Sequence, residues 1–257
     1  MNSSIYIATS TARELFRDKI IYAVFSLFIL VVLISLFFGT VSIGSRVQVL
    51  QDFGLFSCSI FSLMFCAITG TSLLNKEIKG KTIHNIMSKP IKRSHFIFGK
   101  FLGMVFASSL LNFILILFLF LFVRVIEGFW NDYLLIAGLY ITAEIILVNA
   151  VGILFSSAVV TPMLAGLFTV AAFMVGRSAN LINEFIATIG LEGTTAKLFN
   201  ALYYIIPNFS YLNASGGLVF NYFPGWENLI FGYVYVIGYS VIMLVLANYF
   251  FKKRELL

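Results

Sequence analysis

The chain has 257 residues, of which 60% are hydrophobic and only 11% charged, and its mean hydropathy is +1.00. A water-soluble domain of this length carries about 25% charged residues, so the composition excludes a globular protein surrounded by water. The net charge of +6 is mostly a sign of membrane topology, and nucleic acid is not an expected partner.

In chain order, residues 1–19 form the first unit. Ile5, Ala8, Ala12, Leu15 and Phe16 recur at three- and four-residue spacing, while Arg13, Glu14, Arg17 and Asp18 fall elsewhere. That pattern predicts an amphipathic helix over residues 3–19 lying on the inner membrane surface. It reads equally as a simple anchor or as a lever that touches a cytoplasmic partner. Long apolar runs follow from Ile20 to about Ser42, Phe53 to Leu74, Phe101 to Val123, Tyr133 to Val160 and Leu229 to Phe251. Each meets the ~20 residues that a helix needs to cross a bilayer core. A further run, Pro162 to Gly176, is marginal in length and is expected to be tilted, broken or extended past Arg177. Transmembrane β-strands would alternate in polarity over about ten residues, and nothing here does. The first run is too long for a signal-peptide core and has no small-residue cleavage site after it. Cys58 and Cys66 share the second span, about 12 Å apart along a helix, too far for a disulfide; both are expected to be packing residues.

The prediction is therefore an all-α polytopic membrane protein in one transmembrane domain, residues 1–257, with six spans. Placing both termini in the cytoplasm gives the inner segments thirteen Lys and Arg residues, seven of them between Lys76 and Lys100. The outer segments keep four: Arg46, Arg124, Arg177 and Lys197. Basic residues favour the cytoplasmic side, so this orientation is expected, in a bacterial-type inner membrane. Residues 177–228, before the last span, are too apolar for a solvated linker: Leu198, Leu202, Tyr203, Ile205, Ile206, Phe209 and Tyr211 crowd together. Short outer helices that dip into the leaflet are expected there, with breaks at Pro207, Gly216–Gly217 and Pro224–Gly225.

Residues 76–100 are both highly charged and punctuated. Gly80 is expected to break the helix leaving the membrane. Thr82 then caps a short helix over Ile83 to Ser88, ended by Pro90. Past it, Gly99, Gly103 and Ala107 are spaced by four and make a small-residue stripe suited to close helix packing. By itself the loop is either an ordinary basic inner loop or a docking knob.

The residues Glu77-x-x-Gly80-x-Thr82, Met87-Ser88-x-Pro90-x-x-Arg93 and Phe98-Gly99-Lys100 resemble the signature of ATP-binding-cassette type-2 permeases, E-x-x-G-T, L-x-x-P-x-x-R and G-K. The layout of the whole chain is similar to that family as well. Lys81 is inserted between the glycine and the threonine, and Met87 stands where leucine is usual; neither departure disturbs the short helix. A shorter likeness, Asn149-Ala150-Val151-Gly152 with Phe155-Ser156-Ser157, resembles the branch that includes copper-processing and gliding-associated permeases. The resemblance implies a coupling helix seated in a cleft of an ATPase subunit. Thr82, His84, Asn85, Met87 and Ser88 would lie in that contact, Pro90 and Arg93 at its end and Glu77 and Gly80 at its membrane-proximal side. It also implies two copies of this chain with two ATPase subunits, which would bind the ATP and magnesium.

This chain has no phosphate-cradling loop of its own. Gly80-Lys81-Thr82 supplies only the last three letters of that motif, and Asn75 stands where its first glycine belongs. No cofactor and no enzymatic activity of its own are therefore expected. His84 and His95 are the only histidines and have no Cys or Asp cluster beside them for a metal. No histidine lies at membrane depth to activate a serine.

Glu144 is the one charged residue well inside a long span, about 16 Å past Tyr133 along a helix. Asn112 reaches a comparable depth in the third span. Such groups usually face a protein interior or a water-filled cavity. Glu144, with Asn112, either lines the substrate path or makes a structural hydrogen bond between spans. The leading functional reading is the permease of an ATP-driven exporter, with a hydrophobic or lipid-linked cargo preferred. The alternatives are a membrane scaffold of an assembly or copper-processing system that moves no solute, and a stand-alone secondary transporter.

Overall fold

The computed structural model describes residues 3–41, 46–79, 93–180, 207–213, 215–220 and 222–253. Eight helices are described among them: α1 (Ser3–Phe16), α2 (Ile20–Val41), α3 (Arg46–Lys79), α4 (Arg93–Glu127), α5 (Tyr133–Ala158), α6 (Pro162–Arg177), α7 (Ser215–Val219) and α8 (Trp226–Lys253). A single 3-10 turn, Ser210–Leu212, precedes α7. No described residue is in a strand, as the uninterrupted apolar runs require.

Five helices (α2, α3, α4, α5 and α8) are long and apolar enough to cross a membrane. At 16 residues, α6 is about 24 Å long, short of a ~30 Å hydrocarbon core. The expected sixth span is therefore not one helix. The chain leaves α5 at one end of the bundle and enters α8 at the other, and α6 covers part of the distance between them. Val159 and Thr161 adopt extended backbone ahead of Pro162 at the first helical position of α6, as the residue before a proline must.

The helix α5 is the axis of the bundle. Its buried residues run around its whole circumference, from Leu134 to Ser157, and α3, α4, α6 and α8 all pack on it. In contrast α2 buries one narrow stripe, Val24, Phe28, Val32, Ser35 and Gly39, and leaves most of its apolar surface outward, as a lipid-facing helix should. Phe25 and Phe28 meet Phe118 of α4 edge-on at 5.8 and 5.9 Å. Asp18 Oδ1 accepts a hydrogen bond from the backbone N–H of Ile20 (3.1 Å) and so caps the start of α2.

The small-residue stripe finds its partner in α1. An added Cβ on Gly99 would sit 2.8 Å from the carbonyl oxygen of Ser4, and one on Gly103 2.6 Å from that of Ala8. Ala107 is fully buried. The contacts advance from Ser4 to Phe16 along α1 as they advance from Gly99 to Phe106 along α4. Near the same end of the bundle, Phe96 of α4 stacks on Phe251 of α8 at 6.0 Å. The first described helix, the start of α4 and the end of the last helix therefore gather on one side. Trp130 and Trp226 mark the opposite end, where Phe120 stacks on Trp130 at 5.1 Å and Arg124 lies 5.0 Å over its ring; aromatic residues at this level suit a membrane interface.

Cys58 and Cys66 are free and buried in α3, in agreement with the packing role read from their spacing. One boundary needs correcting. Gly216 and Gly217, expected to break the chain, lie inside α7, whereas the break expected at Pro224–Gly225 is present, with Gly225 at φ +101°, a conformation open mainly to glycine. The rest of the expected outer helices, over 181–206, lies outside the described residues.

Candidate functional site

The depth of Glu144 follows from helix geometry. Counting back from the end of α5 at Ala158, Glu144 stands about 21 Å along the helix. Counting forward from Pro162 in the antiparallel α6, Arg177 stands about 22 Å along. The two residues are therefore level, in the middle of the bundle. Arg177 Nη1 donates to Glu144 Oε1 at 2.8 Å, so the charge deep in α5 is met by a second charge that the topology count had placed outside.

Two more segments join this pair. Ser59 Oγ of α3 donates to Glu144 Oε2 (2.8 Å) and accepts from Arg177 Nη1 (3.1 Å). Arg177 Nη2 donates to Asn213 Oδ1 (3.0 Å), and the guanidinium lies 5.6 Å over the Phe173 ring. A small cavity beside the cluster is walled by Leu55, Ala137, Ile141, Leu212 and Tyr140. The Tyr140 hydroxyl is buried without a hydrogen-bond partner among the described residues. Tyr140 and Glu144 are four residues apart on one face of α5, so this hydroxyl belongs to the same polar spot.

The C-terminus of α6 ends at this depth, where unsatisfied carbonyls are costly. Residues 207–213 answer it. The N–H of Phe209 donates to the Gly176 carbonyl (3.0 Å), and Ser210 Oγ donates to that of Arg177 (2.6 Å). Asn208 braces the segment: its N–H donates to the Tyr235 hydroxyl (2.7 Å), its Oδ1 accepts from the N–H of Ser210 (2.8 Å), and its Nδ2 donates to Asn180 Oδ1 (3.3 Å). Gly176 permits the approach, because an added Cβ there would overlap the Pro207 carbonyl and the Phe209 ring. Irregular backbone thus reaches membrane depth only where protein covers it.

Asn112 is buried at comparable depth but does not join Glu144. Its Nδ2 donates to the Gly138 carbonyl and to Thr142 Oγ1, both at 3.1 Å. Residues 142 and 144 are two apart on α5, about 200° around the helix, so the two polar groups occupy opposite faces. Asn112 stands instead in a groove of about 450 Å³ with Phe113, Leu139 and Trp226. One helical turn or more further on, Asn149 Nδ2 donates to Ser108 Oγ (2.9 Å) and Ser156 Oγ to the Thr71 carbonyl (3.3 Å). The motif residues Asn149 and Ser156 thus tie α5 to α4 and α3.

The coupling residues fare differently. Glu77 lies in the last turn and a half of α3 and Arg93 opens α4. Gly80, Thr82, His84, Asn85, Met87, Ser88 and Pro90 lie outside the described residues. With 34 and 35 residues, α3 and α4 are each about 50 Å long, well beyond what the bilayer core requires. The sequence reading missed Arg177, Ser59, Asn213 and Tyr140 as members of the polar cluster. Arg177 had a signal, since a cation ending a 16-residue apolar helix cannot have crossed the membrane. Ser59 is one of many serines and had none.

A family model described as ABC-2 family transporter protein matches residues 5–256. No curated protein matches the chain.

Proposed function

The chain belongs to the ABC-2 family of transporter proteins, and from that membership we propose that it is the membrane permease of an ATP-driven exporter. Permeases of this family are integral membrane components that lack a nucleotide-binding domain and partner with an ABC ATPase. The match over residues 5–256 is the observation that carries the reading. The finer points go beyond it: two copies of this chain work with two ATPase subunits, both termini lie in the cytoplasm of a cell with a bacterial-type inner membrane, and cargo moves outward.

In this reading, residues Thr82 to Lys89 dock on the ATPase, and ATP and magnesium bind only there. Closure of the ATPase pair pulls on α3 and α4, whose lengths make them continuous levers from the docking segment into the bundle. The seam between α4 and α1 means that α1 moves with α4, which favours the lever over the simple anchor for the N-terminal helix. The bundle is then biased between inward- and outward-facing states, to the extent that ATP distinguishes them. Glu144 borders the cargo path at mid-depth, held by Arg177, while Asn112 secures the opposite face of α5. A hydrophobic or lipid-linked cargo fits the apolar walls.

Co-purification tests the reading. The unsubstituted chain is expected to bring down an ATP-binding subunit, and replacing Thr82–Lys89 by a Gly/Ser segment of equal length is expected to release it while the chain stays in the membrane. Transport by the purified chain alone in vesicles without nucleotide would overturn it. For Glu144, the double variant Glu144→Gln/Arg177→Met, which leaves neither charge of the pair orphaned, is expected to assemble with ATPase activity kept and transport lost. Transport at the unsubstituted rate removes the residue from the path.

A further inference from the structure

Beside the α1–α4 seam, on the side away from the bundle axis, the two helices leave a groove of about 790 Å³. Its floor and walls are apolar: Ala12 and Phe16 of α1 face Leu102 and Phe106 of α4. Leu102 and Phe106 are exposed, so the groove opens toward the surface that a bilayer would cover. Phe16 meets Phe106 edge-on at 6.3 Å and narrows it. Among the described residues, the charged ones lining it are Arg13 and Arg17. They are four apart and so share one face of α1. Both are exposed, and neither makes an ion pair among the described residues. The nearby acids do not neutralise the groove: Asp18 is engaged in capping α2, and neither it nor Glu14 lines the groove.

An apolar trough with two cations at one rim is the negative image of one class of molecule, a chain-bearing amphiphile with an anionic head. We infer that this groove holds one anionic phospholipid of the leaflet in which α1 lies, its phosphate against Arg13 and Arg17 and an acyl chain between Phe16, Leu102 and Phe106. Charge complementarity selects this occupant over a zwitterionic lipid. An uncharged apolar partner would leave both guanidinium groups unanswered. The inference does not depend on transport direction or on the ATPase, since it needs only that the chain be embedded in a bilayer. If the arginines served merely to complement the C-terminal end of the α1 dipole, no preference among headgroups would follow.

A tryptophan placed at Phe106 reports on the groove, because Trp130 and Trp226 lie at the other end of the bundle. The full-length Phe106→Trp protein is reconstituted into vesicles of phosphatidylcholine and phosphatidylglycerol in which one lipid or the other carries brominated chains. Brominated phosphatidylglycerol is expected to quench the fluorescence of the introduced tryptophan at mole fractions several-fold below those needed for brominated phosphatidylcholine. A membrane-surface arginine contributes about 1 kcal/mol, roughly fivefold, so the preference should fall in steps through R13Q and R13Q/R17Q to parity. R13K/R17K should retain it, and high salt should erase it without any substitution, which keeps the test open if a neutral variant fails to fold. Equal quenching by both lipids in the arginine-containing protein overturns the inference. So does a preference that survives R13Q/R17Q, or weak quenching by both lipids, the result expected if a second copy of the chain fills the groove.

Discussion

Two contacts hold helices together here by opposite means. The α1–α4 seam is a matter of shape: Gly99 and Gly103 let backbones come so close that a single methyl group would collide. The contact between α5 and α6 is a matter of charge: Glu144 and Arg177 stand level at mid-depth and are closed in by Ser59 and Asn213. Between apolar helices in lipid, burial of greasy surface gives little preference for protein over lipid, so association rests on packing and polar contacts. The seam tolerates small adjustments, because dispersion falls off atom by atom. The ion pair does not, because either partner alone becomes an unpaired charge in a medium of low dielectric.

The sharpest way to break this contrast is to remove one charge. Arg177→Met leaves the Glu144 carboxylate with Ser59 alone among the described residues, and loss of one member of a buried pair costs about 3–5 kcal/mol. Thermal unfolding in nanodiscs should show a larger loss than Gly103→Ala or Asn112→Leu produces. Pairing the change with Glu144→Leu removes the orphaned charge, and most of the loss should return. If the double variant is no better than Arg177→Met alone, the pair is not the source of the cost, and the hydrogen bonds around residues 207–213 must be.

The seam should respond less. Gly103→Ala puts a methyl group 2.6 Å from the Ala8 carbonyl oxygen, and overpacking of this kind costs about 1–3 kcal/mol. The loss should be local. Amide exchange across α1 is expected to rise about tenfold, the factor that matches about 1.4 kcal/mol, while α5 keeps its protection. Gly238→Ala in α8 is the control, since nothing lies within 4 Å of its added Cβ and an alanine there should stabilise the helix slightly. Equal effects at the two glycines would mean that close approach is not what the seam depends on.

These contacts also show what could be read from the chain itself. The seam was legible as a property of spacing, because Gly99, Gly103 and Ala107 fall four apart; its partner was not, since the apolar positions of α1 fit a bare membrane surface as well as a helix. Helix positions came within a few residues because apolar runs of 20 or more admit one structure in lipid. The ends of α3 and α4 were underestimated: both helices continue past their apolar stretches into charged sequence that hydropathy does not count. Glu144 announced itself by being alone. Arg177 did not, because a topology count sorts charges by loop and takes every apolar run as a full crossing. Its position follows only once α6 is seen to stop after 16 residues and the chain is seen to fold back over it through Asn208, Ser210 and Asn213. Those contacts link residues about 30 apart, and no local pattern encodes them.

Asn112 lies between the two regimes, and the smallest effect is expected there. It is buried and polar like Glu144, but uncharged, and Thr142 Oγ1 already donates to the same Gly138 carbonyl at 2.8 Å. Asn112→Leu therefore removes two donated bonds without leaving that carbonyl bare. It also removes Asn112 Oδ1, which has no partner among the described residues. Hydrogen bonds between membrane helices average about 0.6 kcal/mol, so a loss of about 0.5–1 kcal/mol is expected, within reach of thermal unfolding in nanodiscs. The isosteric change Asn112→Asp divides the cases further. A carboxylate cannot donate to Gly138, and unlike Glu144 it has no cation across from it among the described residues, so it should destabilise well beyond the leucine variant. If aspartate is tolerated as well as leucine, a counter-charge or water must reach the groove beside Phe113 and Trp226, and Asn112 would then join Glu144 among the residues that border a path.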